Sequence, residues 1–328
     1  MLSNTNEADE YRKEFKQYYL ENIQPKLNEF ESLRQSKRKI QLTCIILCTI
    51  TTCIAIYTLA QIISIQNATK GDASIFLYIL LMFLGGVSII TSYGIHMLRK
   101  DFERTIRAAV IKPFLNFFGN FVCSSYSRIP EGDIKKSKLV DDFNSYSSDD
   151  YFEGQHDGLK IVISEVDLFR KSSNNGGVTV FKGIFVQIDM NKKFLTHTII
   201  KSKDPFKKFW SFKNLFGPKM QIVKLEDPEF DKLVEVFAQD QTEARYLITT
   251  SFMERFKSLQ ETYKTKDIRA SFLENKVTIA ISCKKDMFRI GDLSKPVTDT
   301  GQIQELFEEF VAVLSLVDLL HLDSKTGL

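Results

Sequence analysis

The sequence has little that would build a disulfide framework or a zinc site. It contains five cysteines. Cys44, Cys48 and Cys53 fall in one apolar run, whereas Cys123 and Cys283 are isolated. Their spacing fits neither a zinc ligand set nor a disulfide pattern, and this usage is typical of a reducing compartment for the soluble part of the chain. Cys283 stands in an apolar strand pattern and is predicted to be a core residue.

The sequence also lacks a strong charge of either sign and the common catalytic motifs. The net charge of +3 implies no global attraction to nucleic acid, and no recognised nucleic-acid module is present. The G-x-S-x-G, P-loop and dinucleotide patterns are absent, and the four histidines are scattered. We therefore predict that the protein is not an enzyme, and we predict no cofactor.

Formal charge is missing altogether from two long apolar runs, Ile40–Ile65 and Ala73–Leu98. About 20 apolar residues cross a bilayer, and a charge near its centre costs roughly 2.5–3.5 kcal/mol. We predict two transmembrane helices that form a hairpin. Neither run has an acid, base or histidine at mid-depth, which argues against a transporter. Gly85, Gly86 and the small polar residues could let the two helices approach closely.

Basic residues flank the two runs and are scarce between them. They are Arg34, Lys37, Arg38 and Lys39 before the first run, and Arg99, Lys100, Arg104 and Arg107 after the second. The connection, residues 66–72, carries Lys70 and the offsetting Asp72. Because positive charge stays on the cytoplasmic side, we predict a two-pass protein of the bacterial inner membrane with both termini cytoplasmic.

The chain divides into four predicted regions: a cytoplasmic helical lead-in (1–39), the transmembrane hairpin (40–98), a juxtamembrane helix (99–125) and a cytoplasmic α+β domain (126–328). The lead-in is predicted to break near Pro25 and the juxtamembrane helix at Pro113. The predicted fold class is α+β, a helical transmembrane hairpin followed by a soluble domain of antiparallel sheet with packed helices.

Alternating apolar residues and turn signals predict the strands of that sheet. Residues 159–169 and 178–188 are predicted to form a hairpin around KSSNNGG, and a second hairpin turns at Glu274–Asn275. Residues 194–200, 220–226 and 230–239 are predicted to extend the sheet.

Capping residues and apolar stripes predict the helices of the same domain. Asp240 and Glu243 form a capping box, and Thr250 or Ser251 caps the next helix. Thr300 opens a last helix, whose apolar stripe is Ile303, Leu306, Phe307, Phe310, Leu314 and Val317.

Four phrases of the sequence resemble the bacterial family "domain of unknown function 3137" over roughly residues 100–320. They are SDDYFEGQHDGLKIVISEVDL, VFKGIFVQIDMNKKF, VKLEDPEFDKLVEVFAQDQTEARYLITTSFMERF and IRASFLENKVTIAIS. Members often place a short membrane hairpin before such a domain, so the resemblance implies membrane attachment and a shared cytoplasmic fold. Where many members have a proline between two helices, this chain has Thr250–Ser251. The family brings no established activity and therefore no catalytic residue.

Residues 148–158, SDDYFEGQHDG, gather acidic groups around one histidine. The candidate metal ligands are Asp149, Asp150, Glu153, His156 and Asp157. Such groups can bind a divalent metal or act as acid and base where burial shifts their pKa values. The spacings of metal-binding helices and calcium loops are absent, and an acidic stretch before a strand is usually a solvated loop. We therefore predict that residues 148–158 form a solvated loop. The alternative is that residues 149–157 form the site of a metal-dependent hydrolase.

Glu165 and Asp167 fall on one face of the following strand and alternate with Val166 and Leu168. This is the pattern of a half-exposed strand. We predict that Glu165 forms a structural ion pair with Lys182 on the neighbouring strand.

Residues 201–219, KSKDPFKKFWSFKNLFGPK, combine lysines with aromatic side chains. The candidates for membrane-surface or ligand contact are Lys207, Lys208, Phe209, Trp210, Lys213 and Phe216. Basic residues with interfacial aromatics suit an anionic membrane surface. The alternative, which we favour, is that the aromatics pack on the sheet and the lysines stay solvated.

Together these features predict a membrane-anchored, non-catalytic interaction or scaffold module. Its predicted partners are the lipid bilayer, an unidentified protein, anionic lipid and a second copy of the chain, but not nucleic acid. Two alternatives stay open: the metal-dependent hydrolase at residues 149–157, and a lipid-sensing or lipid-binding role for residues 201–219.

Overall fold

A computed structural model describes residues 5–69, 74–124, 126–171, 176–203, 220–283, 288 and 290–325. The chain forms two compact units. One contains residues 19–110 and 289–300, and the other contains the residues before 19, residues 111–288 and those from 301 onward.

The first unit is built on two long helices, α2 (Gln24–Thr69) and α3 (Ile75–Phe117). In the described part of the chain, these are the two helices long and apolar enough to cross a membrane. In their most apolar 18-residue windows, 11% and 6% of the residues are buried. A helix in the core of a soluble protein would bury most of this surface, so the low burial separates α2 and α3 from core helices.

Hydroxyl groups join α2 to α3 near the middle of the apolar runs. Thr51 Oγ1 lies 2.9 Å from Ser88 Oγ, and Cys48 Sγ lies 3.5 Å from Ser92 Oγ. A Cβ added to Gly85 or Gly86 would meet none of the described atoms within 4 Å. Small polar side chains therefore mediate the close approach, and the expected contribution of the two glycines is wrong.

Neither proline ends a helix as expected. The helix α1 (Thr5–Tyr18) continues through a π-helical turn, Tyr19–Ile23, directly into α2. Pro25 is the second residue of α2 and directly follows the π-helical turn, so the helical chain passes through it without a break. Pro113 lies inside α3, which runs on to Phe117, and its carbonyl accepts a 3.0 Å hydrogen bond from the Tyr18 hydroxyl.

An antiparallel sheet forms the core of the second unit, with nine strands in the described residues. Their order is β1-β2-β3-β4-β9-β8-β5-β7-β6. The strands are β1 (Val122–Cys123), β2 (Ser145–His156), β3 (Leu159–Lys171), β4 (Gly177–Asp189), β5 (Thr198–Ser202), β6 (Gln221–Val223), β7 (Val234–Ala238), β8 (Ile268–Leu273) and β9 (Lys276–Ser282). With its helices this sheet confirms the predicted α+β class, including both hairpins, β3–β4 and β8–β9.

Both faces of the sheet are covered. The helices are α4 (Glu131–Ser137), α5 (Pro228–Leu233), α6 (Gln241–Leu247), α7 (Thr250–Thr262) and α8 (Gly301–Lys325). One face packs against Ile134 of α4 and its neighbours. On the other face Phe252 of α7 contacts Phe272 of β8 at a ring distance of 5.6 Å, and the predicted stripe of α8 is buried.

Two expectations about β2 and β3 are therefore wrong. Residues 145–156 form a strand rather than a solvated loop, because they pair with both β1 and β3. The strand β3 is not half-exposed, since Ile161 and Ile163 are buried on one face while Val162 and Val166 are buried on the other.

Side-chain caps begin α6 and α7. Asp240 accepts hydrogen bonds from the backbone N–H groups of Thr242 and Glu243, as the capping box predicts. The Glu243 carboxylate instead accepts from the N–H groups of Leu195 and Thr196, at 2.7 and 2.8 Å. The cap of α7 is Thr249 rather than Thr250 or Ser251, so that helix begins one residue earlier than expected.

An aromatic cluster packs α1 onto the same unit. Phe15 stacks on Phe307 of α8 with a ring distance of 4.1 Å. Tyr11 lies 5.0 Å from Phe117, near the end of α3. Residues that precede the first apolar run thus contact residues that follow the second.

Candidate functional site

A tight turn at the end of β2 positions the candidate site. His156 pairs with Leu159 across the hairpin, and the two residues between them, Asp157 and Gly158, have φ values of 49° and 78°. A two-residue hairpin loop with positive φ at both positions favours Asp-Gly. Asp157-Gly158 is thus a local signal for this turn, which brings the Asp157 carboxylate within 4.8 Å of a His156 ring nitrogen.

Asp318 of α8 completes the site. Its Oδ1 lies 2.5 Å from Nε2 of His156, and the side chains of His156 and Asp318 are 18% and 2% exposed. Asp318 directly follows Val317 on the buried stripe of α8. Burying a carboxylate is costly unless it is paired, so the contact with His156 accounts for an acid at this apolar position.

Among the described residues, His156, Asp157 and Asp318 form a group whose ligand atoms all lie within 4.8 Å of one another. An imidazole nitrogen and two carboxylates are a donor set that divalent metals accept. A histidine held by a carboxylate can also act as a general base.

Two aromatic residues lie in the surroundings of this group: the charge of Asp318 acts on Tyr11, and Phe121 packs on β2. Burial, followed by the charges of Glu14 and Asp318, raises the pKa of Tyr11 to about 12. Phe121 packs over Gly154, where an added Cβ would lie 2.5 Å from the ring. Gly154 thus lets an aromatic side chain cover β2 two residues before His156.

The other candidates in residues 148–158 do not join the site. Lys160 lies 2.6 Å from Glu153, and this hydrogen bond, with one from Tyr151, lowers the pKa of Glu153. Asp149 is exposed and Asp150 is buried. At about 3.3 Å per strand residue, Asp150 lies roughly 20 Å along β2 from His156.

Asp318 is the residue that the sequence prediction missed. The apolar stripe of the last helix includes Leu314 and Val317, and Asp318 stands four residues after Leu314. An acid on the core-facing stripe of an amphipathic helix needs a partner, and that is the signal which could have identified it.

The strand register gives Lys182 a different direct neighbour from the one expected. Lys182 pairs with Asp167 and Glu165 pairs with Ile184, and Lys182 Nζ lies 3.3 Å from Asp167 Oδ2. Glu165 is one diagonal step away on the same face, so its predicted ion pair with Lys182 stays a prediction.

The candidate membrane-surface residues lie outside the described residues. This applies to Lys207, Lys208, Phe209, Trp210, Lys213 and Phe216.

The described fold defines a class of protein: two long apolar helices near the N-terminus, then an α+β domain with a nine-stranded antiparallel sheet. Residues 179–322 match the family model described as "Protein of unknown function (DUF3137)". The match confirms, over that part of the chain, the resemblance found in the sequence.

The chain was also compared with curated proteins and with solved structures. No curated protein matches the chain. Among solved structures, the chain is similar to the mycobacterial trehalose monomycolate transport factor A, TtfA, at 11% identity and a TM-score of 0.32. The similarity covers 63% of this chain and 91% of that one.

Proposed function

We propose that this chain is a membrane-anchored interaction module: α2 and α3 cross the membrane as a hairpin, and the α+β domain binds a protein partner on the cytoplasmic side. The proposal that α2 and α3 anchor the chain in the membrane rests on the low burial of their apolar windows. Each large aliphatic side chain left in water forgoes about 1.5–3 kcal/mol. A bilayer removes that cost along both helices.

Contacts between residues that flank the hairpin support a topology in which both ends of the hairpin lie on the same side of the membrane. Lys37, before the first apolar run, lies 2.5 Å from Asp101, after the second. In the other unit, Tyr11 and Phe15 of α1 pack against Phe117. The surrounding arginines and lysines favour the cytoplasmic side.

The non-catalytic part of the proposal rests on the sequence, which lacks the common catalytic motifs. The enzyme alternative is a metal-dependent hydrolase at His156. If the purified chain turned over a substrate and lost that activity in His156→Ala with the fold intact, the enzyme alternative would replace this part.

Contact of residues 201–219 with anionic lipid remains a second proposal, supported by their lysines and aromatics. Loss of binding to anionic liposomes in Trp210→Ala, with folding intact, is the expected result. Unchanged binding in that variant would contradict it.

The anchor is tested by alkaline carbonate extraction of membranes from cells that express the full chain. We expect the wild type to stay in the membrane pellet. Ile54→Lys with Ile89→Lys places two charges on exposed apolar positions, at roughly 2.5–3.5 kcal/mol each near mid-bilayer, and should lower membrane retention.

Ile222→Lys is the matched control, because Ile222 of β6 is 42% exposed and Ile54 is 43% exposed. This control should fractionate as the wild type does. Release of the wild-type chain by carbonate would contradict the proposal.

A further inference from the structure

We propose that His156, Asp157 and Asp318 bind a divalent transition-metal ion of the zinc type. The proposal goes beyond the interaction module and does not depend on it. It assigns a ligand class to the group at the β2–β3 turn, and it replaces the broader set of acidic candidates that the sequence suggested.

The donor chemistry selects the class of metal. An imidazole nitrogen suits zinc and its neighbours, whereas magnesium and calcium prefer sites made of oxygen donors alone. A buried carboxylate, Asp318, and an exposed one, Asp157, supply the two oxygens. A three-ligand set leaves one tetrahedral position for water or another ligand.

The geometry requires small side-chain movements. Tetrahedral zinc, with bonds of about 2.0–2.2 Å, places its ligand atoms about 3.4 Å apart. The three ligand atoms here already lie within 4.8 Å of one another. The contact between His156 and Asp318, at 2.5 Å, must lengthen by about 1 Å. His156 is partly exposed and Asp157 stands at the tip of a turn, so side-chain rotation can supply this change.

The backbone supports the site on both sides. Asp157 is held at a φ of 49° by a two-residue turn between long paired strands, and Asp318 belongs to the buried face of a 25-residue helix. These elements fix the backbone of both residues, and rotation of the side chains brings the ligand atoms to the metal. The metal would join a strand turn and a helix that are 162 positions apart in sequence, and it should stabilise the folded state by mass action.

The test measures binding of Zn²⁺ to the metal-stripped full chain in detergent, by titration calorimetry and by metal analysis after desalting. We expect about one zinc per chain, a rise in Tm, and an at least tenfold loss of affinity in His156→Gln, Asp318→Asn and Asp157→Asn. Co²⁺ in place of Zn²⁺ should give the visible absorption of a tetrahedral site in the wild type and lose it in these variants.

Asp157→Asn keeps the test decisive if changes at the buried Asp318 impair folding. Asparagine tolerates the positive φ of this turn, so the variant should keep the fold and lose one oxygen ligand. Asp149→Asn, an exposed carboxylate of the same strand, is the matched control and should bind zinc as the wild type does.

Absence of stoichiometric zinc in the wild type would overturn the proposal. Binding that is unchanged in folded His156→Gln and Asp157→Asn variants would overturn it as well. Neither result bears on the membrane anchor, which carbonate extraction tests separately.

Discussion

Arg12 of α1 donates hydrogen bonds from Nε and Nη2 to the two carboxylate oxygens of Glu308 in α8, at 2.8 and 2.9 Å. This bidentate pair joins the first described helix of the chain to the last. Because Arg12 and Glu308 are 47% and 31% exposed, the pair contributes little to stability, on the order of 1 kcal/mol or less. The neighbouring aromatic contacts are expected to hold α1 in place.

Phe15→Ala should therefore release α1, whereas Arg12→Ala should not. Phe15 is buried and stacks on Phe307, and truncation of a buried phenylalanine costs about 3–5 kcal/mol. Hydrogen exchange in residues 9–18 should speed up markedly in Phe15→Ala and change little in Arg12→Ala. Equal protection in the two variants would contradict the dominance of the aromatic contacts.

Gly183→Ala should destabilise the sheet strongly. Gly183 has a φ of 152°, and a Cβ there would lie 2.1 Å from the carbonyl oxygen of Ile281 on β9. Because the clash is with backbone, the β4–β9 pairing has to shift, and we expect a loss of several kcal/mol.

Gly132→Ala is the control for that change. A Cβ at Gly132 meets none of the described atoms within 4 Å, and Gly132 lies in α4, where alanine is favoured by up to about 1 kcal/mol. Thermal unfolding should thus show opposite shifts for the two substitutions. If the two substitutions shifted the unfolding temperature in the same direction, the surroundings described for either Gly183 or Gly132 would be wrong.

His197 should make the domain less stable in mild acid. Burial, with a smaller effect of Lys138, lowers the pKa of His197 to about 4 from 6.5, and a hydrogen bond involving the Ser137 backbone partly opposes this. The unfolded chain takes up a proton as the pH falls below 6.5, while the folded chain stays neutral until about 4. Stability is therefore lost between these pH values, by up to about 3 kcal/mol.

Denaturant unfolding at pH 7 and pH 4.5 measures this loss. His197→Gln removes the titrating group and can keep a hydrogen bond to Ser271, whose Oγ lies 2.9 Å from His197 Nε2. The variant should lose less stability than the wild type over this pH range. An identical loss in both proteins would rule out His197 as the cause.

Glu31 should stabilise the contact between residues 290–297 and α2. It lies 2.7 Å from Arg34 Nη2 and accepts a 3.0 Å hydrogen bond from the Val297 N–H. The Arg34 hydrogen bond is the largest cause that lowers the pKa of Glu31 to about 2 from 4.5. This stabilisation is present above pH 4.5 and is lost as the pH falls toward 2.

Glu31→Gln should therefore speed hydrogen exchange at Val297 at neutral pH, because the charge on the hydrogen-bond acceptor is removed. Glu29→Gln, an exposed residue of the same helix, is the control and should leave exchange unchanged. Protection of Val297 that survives Glu31→Gln would show that other contacts hold the segment.

The sequence predicted the helices and strands of this protein better than the contacts between them. Charge-free runs and alternating apolar residues indicated α2, α3 and the β3–β4 and β8–β9 hairpins, because these patterns are local. Asp157–Gly158 is also a local hairpin signal, but the acidic residues around it favoured a loop and concealed β2.

The site depends on contacts that sequence spacing does not encode. The pairing of His156 with Asp318 requires α8 to pass close to the end of β2, and their separation in the chain gives no indication of this. The register of Lys182 is set by an irregularity between Leu168 and Phe169, which shifts cross-strand neighbours in a way that period-two alternation cannot predict.

Cysteine labelling in spheroplasts tests the central claim, a hairpin anchor with both ends on one side of the membrane. In a cysteine-free background, a membrane-impermeant maleimide is applied to Lys13→Cys, to Ser74→Cys and to a chain that retains Cys123. We predict that Ser74→Cys is labelled in intact spheroplasts, whereas Lys13→Cys and Cys123 are labelled only after permeabilisation. Labelling of position 13 in intact spheroplasts, or labelling of position 74 only after permeabilisation, would contradict the account.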